Sequence, residues 1–250
     1  MKIILSPAKK MNVDTDSIEC KSTPSLINDT EKVFLCLKNK SYEELKKIWN
    51  CNDKIVTQNI ERLNKIEINK NLTPAVLAYE GIAYQYMAPS VFSFEQFDYI
   101  QNNLRILSGF YGVLKALDGI VPYRLEMQSK LKIDGTKDLY DFWGDKLYKQ
   151  VLDEDRIIIN LASKEYSKCI EKYLTDKDTY ITCTFGEFEN DKFVQKATFA
   201  KMARGEMVRF MAENNITNPE DIKLFNRLDY SYREDLSSKT EFVFERKVNN

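Results

Sequence analysis

Apolar positions in this chain follow two rhythms, and the shift between them predicts the architecture. Residues 2–5 form a short apolar, β-branched run that stops at Ser6-Pro7, as a buried strand does. From about Pro24 to Ile66 the rhythm is helical: Ser41 to Glu44 is a capping box, with Leu45, Ile48 and Trp49 as the stripe behind it. Thr73-Pro74 starts another helix. Ser93 to Gln96 is a second capping box, after which Phe97, Ile100, Leu104 and Leu107 share one face. Next come Gly109 and Gly112 around a tight turn, a second apolar segment, and Pro122-Tyr123-Arg124. This spacing predicts a helix-hairpin-helix-like element over residues 94–118, with outward N–H groups as anion donors. The same residues also suit an αα-corner whose glycines only permit close packing.

Past Pro122 strands return. Asp138 caps a helix, Arg156 to Asn160 is a buried strand, and Ser163 opens a helix directly after it. Tyr180 to Phe188 and Lys192 to Gln195 read as an antiparallel hairpin. Thr198 to Asn214 is a strong helix, Asn218-Pro219 starts a short one, and Glu241 to Arg246 alternates as a final strand. No repeat or linker divides residues 1–250. The expectation is a single α/β domain (mixed α+β), a mixed central sheet wrapped by helices.

Composition narrows the chemistry. The chain of 250 residues has no histidine, which removes Ser-His-Asp and Cys-His nucleophiles and imidazole acid–base catalysis. No recognisable triad remains, so no catalytic residue is assigned. Its 5 cysteines are scattered without a CxxC pair, and no tight Asp cluster occurs, so neither a metal site nor a cofactor is expected. A net charge of −1 requires any basic surface to be local. No apolar run approaches the ~20 residues of a membrane span, and no targeting segment is visible. The expected address is cytoplasmic, without a membrane partner, as a monomer.

Candidate chemistry gathers at strand ends. The strands at residues 2–5 and 156–160 each run into a serine-bearing turn, Ser6-Pro7-Ala8-Lys9 and Asn160-Leu161-Ala162-Ser163. If the two are parallel neighbours, these turns meet where open α/β sheets bind ligands, and they favour an anion. As plain caps, Ser6 and Ser163 would only end their helices. Lys201 and Arg204 stand three apart, opposite a core face of Phe199, Ala203, Met207, Phe210 and Met211. Gly205 beside them costs a helix about 1 kcal/mol against Ala, so something should approach that backbone closely. Arg124 follows Pro122-Tyr123 and suits a phosphate or carboxylate, or an ion pair with Glu126 or Asp145.

The blocks SPAKK (Ser6–Lys10), LAYEGIAY (Leu77–Tyr84), LRILSGFYGVLKALD (Leu104–Asp118) and PYRLEM (Pro122–Met127) together resemble the YaaA family of bacterial peroxide-stress proteins. The likeness continues through LYDFWGD (Leu139–Asp145), INLASKEY (Ile159–Tyr166) and AKMARGEMVRF (Ala200–Phe210). It implies a cytoplasmic protein protecting cells from hydrogen peroxide, associated with lower unincorporated iron and less Fenton damage. It also implies a helix-wrapped mixed sheet, a basic cleft, a helix-hairpin-helix and sequence-independent DNA binding through phosphates. The residues carried over are Lys9, Lys10, Arg105, Ser108, Gly109, Gly112, Arg124, Lys201 and Arg204. Met202 stands where the family usually has a second lysine, and the hairpin has two residues between its glycines, not one.

Two functional readings follow. One is DNA binding in the basic cleft. The other is an enzyme on a phosphorylated, nucleotide-like or carboxylate-bearing small anion in the same cleft, with Glu126, Asp145 or Tyr111 for proton transfer. Direct iron binding lacks any ligand spacing.

Overall fold

Runs that are apolar on both faces take the middle of the sheet, because only there are both faces covered. The computed structural model describes residues 1–247. Its 8-stranded sheet comprises Lys2–Leu5 (β1), Leu104–Ser108 (β2), Gly112–Lys115 (β3), Ile157–Asn160 (β4), Thr179–Glu189 (β5), Lys192–Val194 (β6), Tyr230–Tyr232 (β7) and Glu241–Arg246 (β8). Their order is β7-β8-β5-β4-β1-β2-β3, with β6 paired to the far end of β5. β1 lies between β2 and β4 and is parallel to both. β5 is parallel to β4 and β8, while β3, β6 and β7 add antiparallel partners. The sheet is therefore mixed, and helices cover it as expected.

The N-terminal helical stretch resolves into Ile27–Lys38, Tyr42–Trp49 and Asp53–Lys65. Ser41 caps the second through its reciprocal box with Glu44: the Ser41 N–H donates to the Glu44 carboxylate at 2.9 Å. Such a cap contributes about 1 kcal/mol. Leu45, Ile48 and Trp49 are buried, as their spacing requires.

The helix-hairpin-helix expectation over residues 94–118 is corrected by the structure. The helix Phe94–Asn103 stops there, and β2 and β3 follow as a β-hairpin closed by the pair Ser108 and Gly112. All five residues of β2 are buried. Burial on every side explains the misreading: a strand apolar on both faces shows the same short apolar run as a buried helix segment. Gly112 has φ +76, the left-handed conformation this turn demands. The Ser108 hydroxyl accepts the N–H groups of Phe110 (3.1 Å) and Tyr111 (2.9 Å), so the turn's amides point inward. Gly109 is fixed by packing, since a Cβ there would lie 2.9 Å from the Leu125 carbonyl oxygen.

Gly205 has a similar explanation. In the helix Ala197–Glu213 a Cβ at this position would sit 1.8 Å from the carbonyl oxygen of Ala83. What approaches that backbone is the helix Ile82–Met87, not a ligand. Gly81 lets the Ser6–Lys9 turn come close as well, with the Ala8 Cβ 2.8 Å from where a Cβ on residue 81 would sit. Three segments are thereby pressed together around the carboxyl ends of β1 and β4.

Candidate functional site

β1 and β4 pair in register, with Ile4 beside Asn160, so their following turns emerge side by side. The two serines meet there. Ser6 Oγ donates to Ser163 Oγ (3.1 Å) and accepts the Ser163 N–H (2.8 Å). Ser163 occupies the N-cap position of the helix Lys164–Glu171, yet its hydroxyl caps nothing. Tyr84 fixes the turn from the helix Ile82–Met87, donating to the Ser6 carbonyl at 3.0 Å. Beside these turns opens a cleft of about 550 Å³, within the range of small-molecule sites. Its walls include Ser6, Lys9, Lys10, Tyr84, Tyr123, Arg124, Glu126, Ser163, Glu165, Tyr166, Lys201 and Arg204.

The sequence therefore brought seven of its candidates to one recess: Ser6, Lys9, Lys10, Arg124, Ser163, Lys201 and Arg204. They are not electrostatically equal. Lys10 is exposed and pairs with Glu80 at 2.6 Å. Lys9 pairs with Glu126 at 2.8 Å, and Arg124 meets the same carboxylate more loosely at 3.4 Å. Lys201 is exposed and forms no ion pair among the described residues. Arg204 is largely enclosed, and its Nε is buried without a partner, as is that of Arg124. Among the described residues the Arg204 side chain makes neither a hydrogen bond nor an ion pair. Burial lowers its guanidinium's proton affinity, opposed only by nearby Cys183. A buried cation without a counter-ion is costly, and an oxyanion is the group that relieves it.

Four residues carried over by resemblance lie elsewhere. Arg105 is buried and donates to the carbonyls of Leu104 (2.8 Å) and Gln101 (3.2 Å), so its charge is tied to the end of a helix. Ser108, Gly109 and Gly112 belong to the buried hairpin. Ser108 still serves the cleft from behind: its hydroxyl lies 2.6 Å from that of Tyr123, which lies 2.8 Å from that of Tyr79. Burial pushes the Tyr123 phenol up to about 12, so this wall is neutral at physiological pH. Two suggested proton-transfer groups also fall away. Tyr111 is fully buried and accepts the Val121 N–H, and Asp145 pairs with Lys149 at 2.6 Å, outside the cleft.

Sequence reasoning missed Glu165 and the tyrosines Tyr84, Tyr123 and Tyr166. A signal existed: Glu165 and Tyr166 lie two and three residues after Ser163, and Tyr123 precedes Arg124. Residues flanking a ligand-binding turn share its position. Burial raises the affinity of the Glu165 carboxyl for its proton, reinforced by Glu126 and opposed by the Gln128 N–H and Lys9. The cleft thus offers oxyanion-binding cations, neutral hydroxyls and three carboxylates, Glu80, Glu126 and Glu165. Among the described residues no three His, Cys, Asp or Glu side chains gather as a metal site, and no helix is long and apolar enough to cross a membrane.

Comparison with known proteins decides the family. A family model described as "Peroxide stress protein YaaA" matches residues 1–236. The chain belongs to the YaaA peroxide-stress family. A UPF0246 protein of Agathobacter rectalis is 64% identical over 99% of this chain and 100% of its own length. Similar proteins from Lachnoclostridium phytofermentans and Pediococcus pentosaceus are each 52% identical, covering 100% and 98% of this chain and 98% and 97% of their own lengths. The family match spans every wall of the cleft, from the SPAKK turn to Lys201 and Arg204.

Proposed function

We propose that this member of the peroxide-stress family acts in the cytoplasm by binding a small anionic molecule in the cleft. The ligand class is a phosphorylated, nucleotide-like or carboxylate-bearing compound. One observation carries the reading: the Arg204 side chain lines the cleft with a buried, unpartnered Nε and no counter-ion among the described residues. Arg124, whose Nε is likewise unpartnered, lines the same cleft with only a loose contact to Glu126 at 3.4 Å. Tyr84, Tyr123 and Tyr166 add aromatic walls suited to a planar ring. The lower free iron implied by the family resemblance then follows indirectly, through the bound metabolite.

DNA binding is the second reading, and a different observation supports it. Lys9, Lys10 and Lys201 are exposed around the mouth and are suited to phosphates of a duplex lying across it. The hairpin gives this reading no amide donors, since its turn N–H groups bond inward.

Calorimetric titration with adenosine 5′-monophosphate, adenosine and a short DNA duplex separates the two. The first reading predicts that the monophosphate binds at least about tenfold more tightly than adenosine, the scale of one charge-assisted contact. Duplex binding with a log–log salt slope of roughly −3 to −5, and no monophosphate binding, would instead establish the second.

A further inference from the structure

Glu165 lines the same cleft as the cations, yet anion binding alone gives this carboxyl no task. It lies half-buried in the first turn of the helix Lys164–Glu171. One of its oxygens accepts the Gln128 N–H at 3.2 Å, and the other takes no hydrogen bond among the described residues. No cation forms an ion pair with it there either, because Lys9 is engaged by Glu126. Charged and titratable groups surround it: Glu126 and Lys9 from the facing segments, Tyr166 and Cys169 from its own helix, and Tyr140 behind. Burial pushes both tyrosines up and Cys169 up to about 12, so all three keep their protons near neutrality.

An oxyanion held by Arg204 and Arg124 would enter this recess beside Glu126, which pairs with Lys9 and Arg124. A third negative charge on Glu165 is then the one that electrostatics removes, and a protonated carboxyl is a hydrogen-bond donor. We propose that Glu165 is the proton-bearing specificity residue of the cleft: it takes up a proton as an oxyanion binds and donates it to that anion as a hydrogen bond. This rests on the anion-binding reading above. Burial already raises the carboxyl's affinity for a proton, in the direction the proposal needs. The rest of the molecule leaves the signal readable. With no histidine in the chain, few side chains answer between about pH 5.5 and 8. The Met1 amine is engaged by Asp153 and Asp155, each at 2.9 Å, at the opposite end of β1.

The test is calorimetry with sulfate, which does not itself titrate in this range, in buffers of different protonation enthalpy. Wild type should take up as much as one proton per sulfate and lose affinity by up to about tenfold per pH unit once Glu165 ionises. Glu165→Gln keeps an oxygen for the Gln128 N–H. It should bind sulfate at pH 8 as tightly as wild type does near pH 5.5, with no proton uptake. Glu126→Gln should keep the pH slope. Zero proton uptake by wild type overturns the proposal, and that measurement depends on no variant. An equal slope in Glu165→Gln, or a slope lost only in Glu126→Gln, overturns it as well. Sulfate binding that is absent, or indifferent to Arg204→Met, overturns the anion-binding reading together with it.

Discussion

Arg204 presents the sharpest conflict between stability and function at the scale of one residue. No carboxylate pairs with it among the described residues, and replacing an uncompensated buried charge by an apolar side chain of similar shape is neutral or stabilising. Arg204→Met should therefore raise the urea midpoint, by about 1 kcal/mol of stability, while weakening monophosphate binding at least about tenfold. Chemical denaturation and calorimetry on the same protein check both halves. A destabilised variant would mean that the guanidinium is held by structure, not kept for a ligand. The sequence exposed half of this: the three-residue spacing placed Lys201 and Arg204 together. It gave them one role, whereas Lys201 is exposed and Arg204 faces the recess. Which neighbours enclose a cation is a tertiary fact, and periodicity along one helix does not contain it.

Between elements, glycines decide where backbones touch. Gly205 costs its helix about 1 kcal/mol of propensity relative to Ala, so propensity alone predicts that Gly205→Ala stabilises. The Ala83 carbonyl oxygen, 1.8 Å from the Cβ position, reverses the sign. Gly205→Ala should lose about 2 kcal/mol or more, in the manner of an overpacked core, and should push the helix Ile82–Met87 away from the Ser6 turn. Thermal denaturation gives the first effect and monophosphate affinity the second. A stable variant with unchanged binding would contradict this account of how the wall is held. The sequence showed that a close approach was needed at Gly205 but not by what. At Gly109 and Gly112 the residues looked the same for a helical hairpin and a β-hairpin, because β2 is buried on every side and hides the alternation that marks a strand. The strand-end turns were legible one strand at a time, since each buried run stops at a polar turn, Ser6-Pro7 after β1 and Asn160 to Ser163 after β4. That the two strands are parallel neighbours is a tertiary fact.

For the whole molecule, parallel strand pairing is what makes the site. Only side-by-side, same-direction β1 and β4 deliver Ser6 and Ser163 to one edge, and the helix Ala197–Glu213 then lays Lys201 and Arg204 across it. The family match covers all of these segments. The central claim is that this recess holds an oxyanion against its buried guanidiniums. Anomalous scattering from crystals grown with selenate tests it most directly. The account predicts one strong selenium peak within hydrogen-bond reach of Arg204 and Arg124. Peaks confined to the outer lysines, or none in the cleft at saturating selenate, would contradict it.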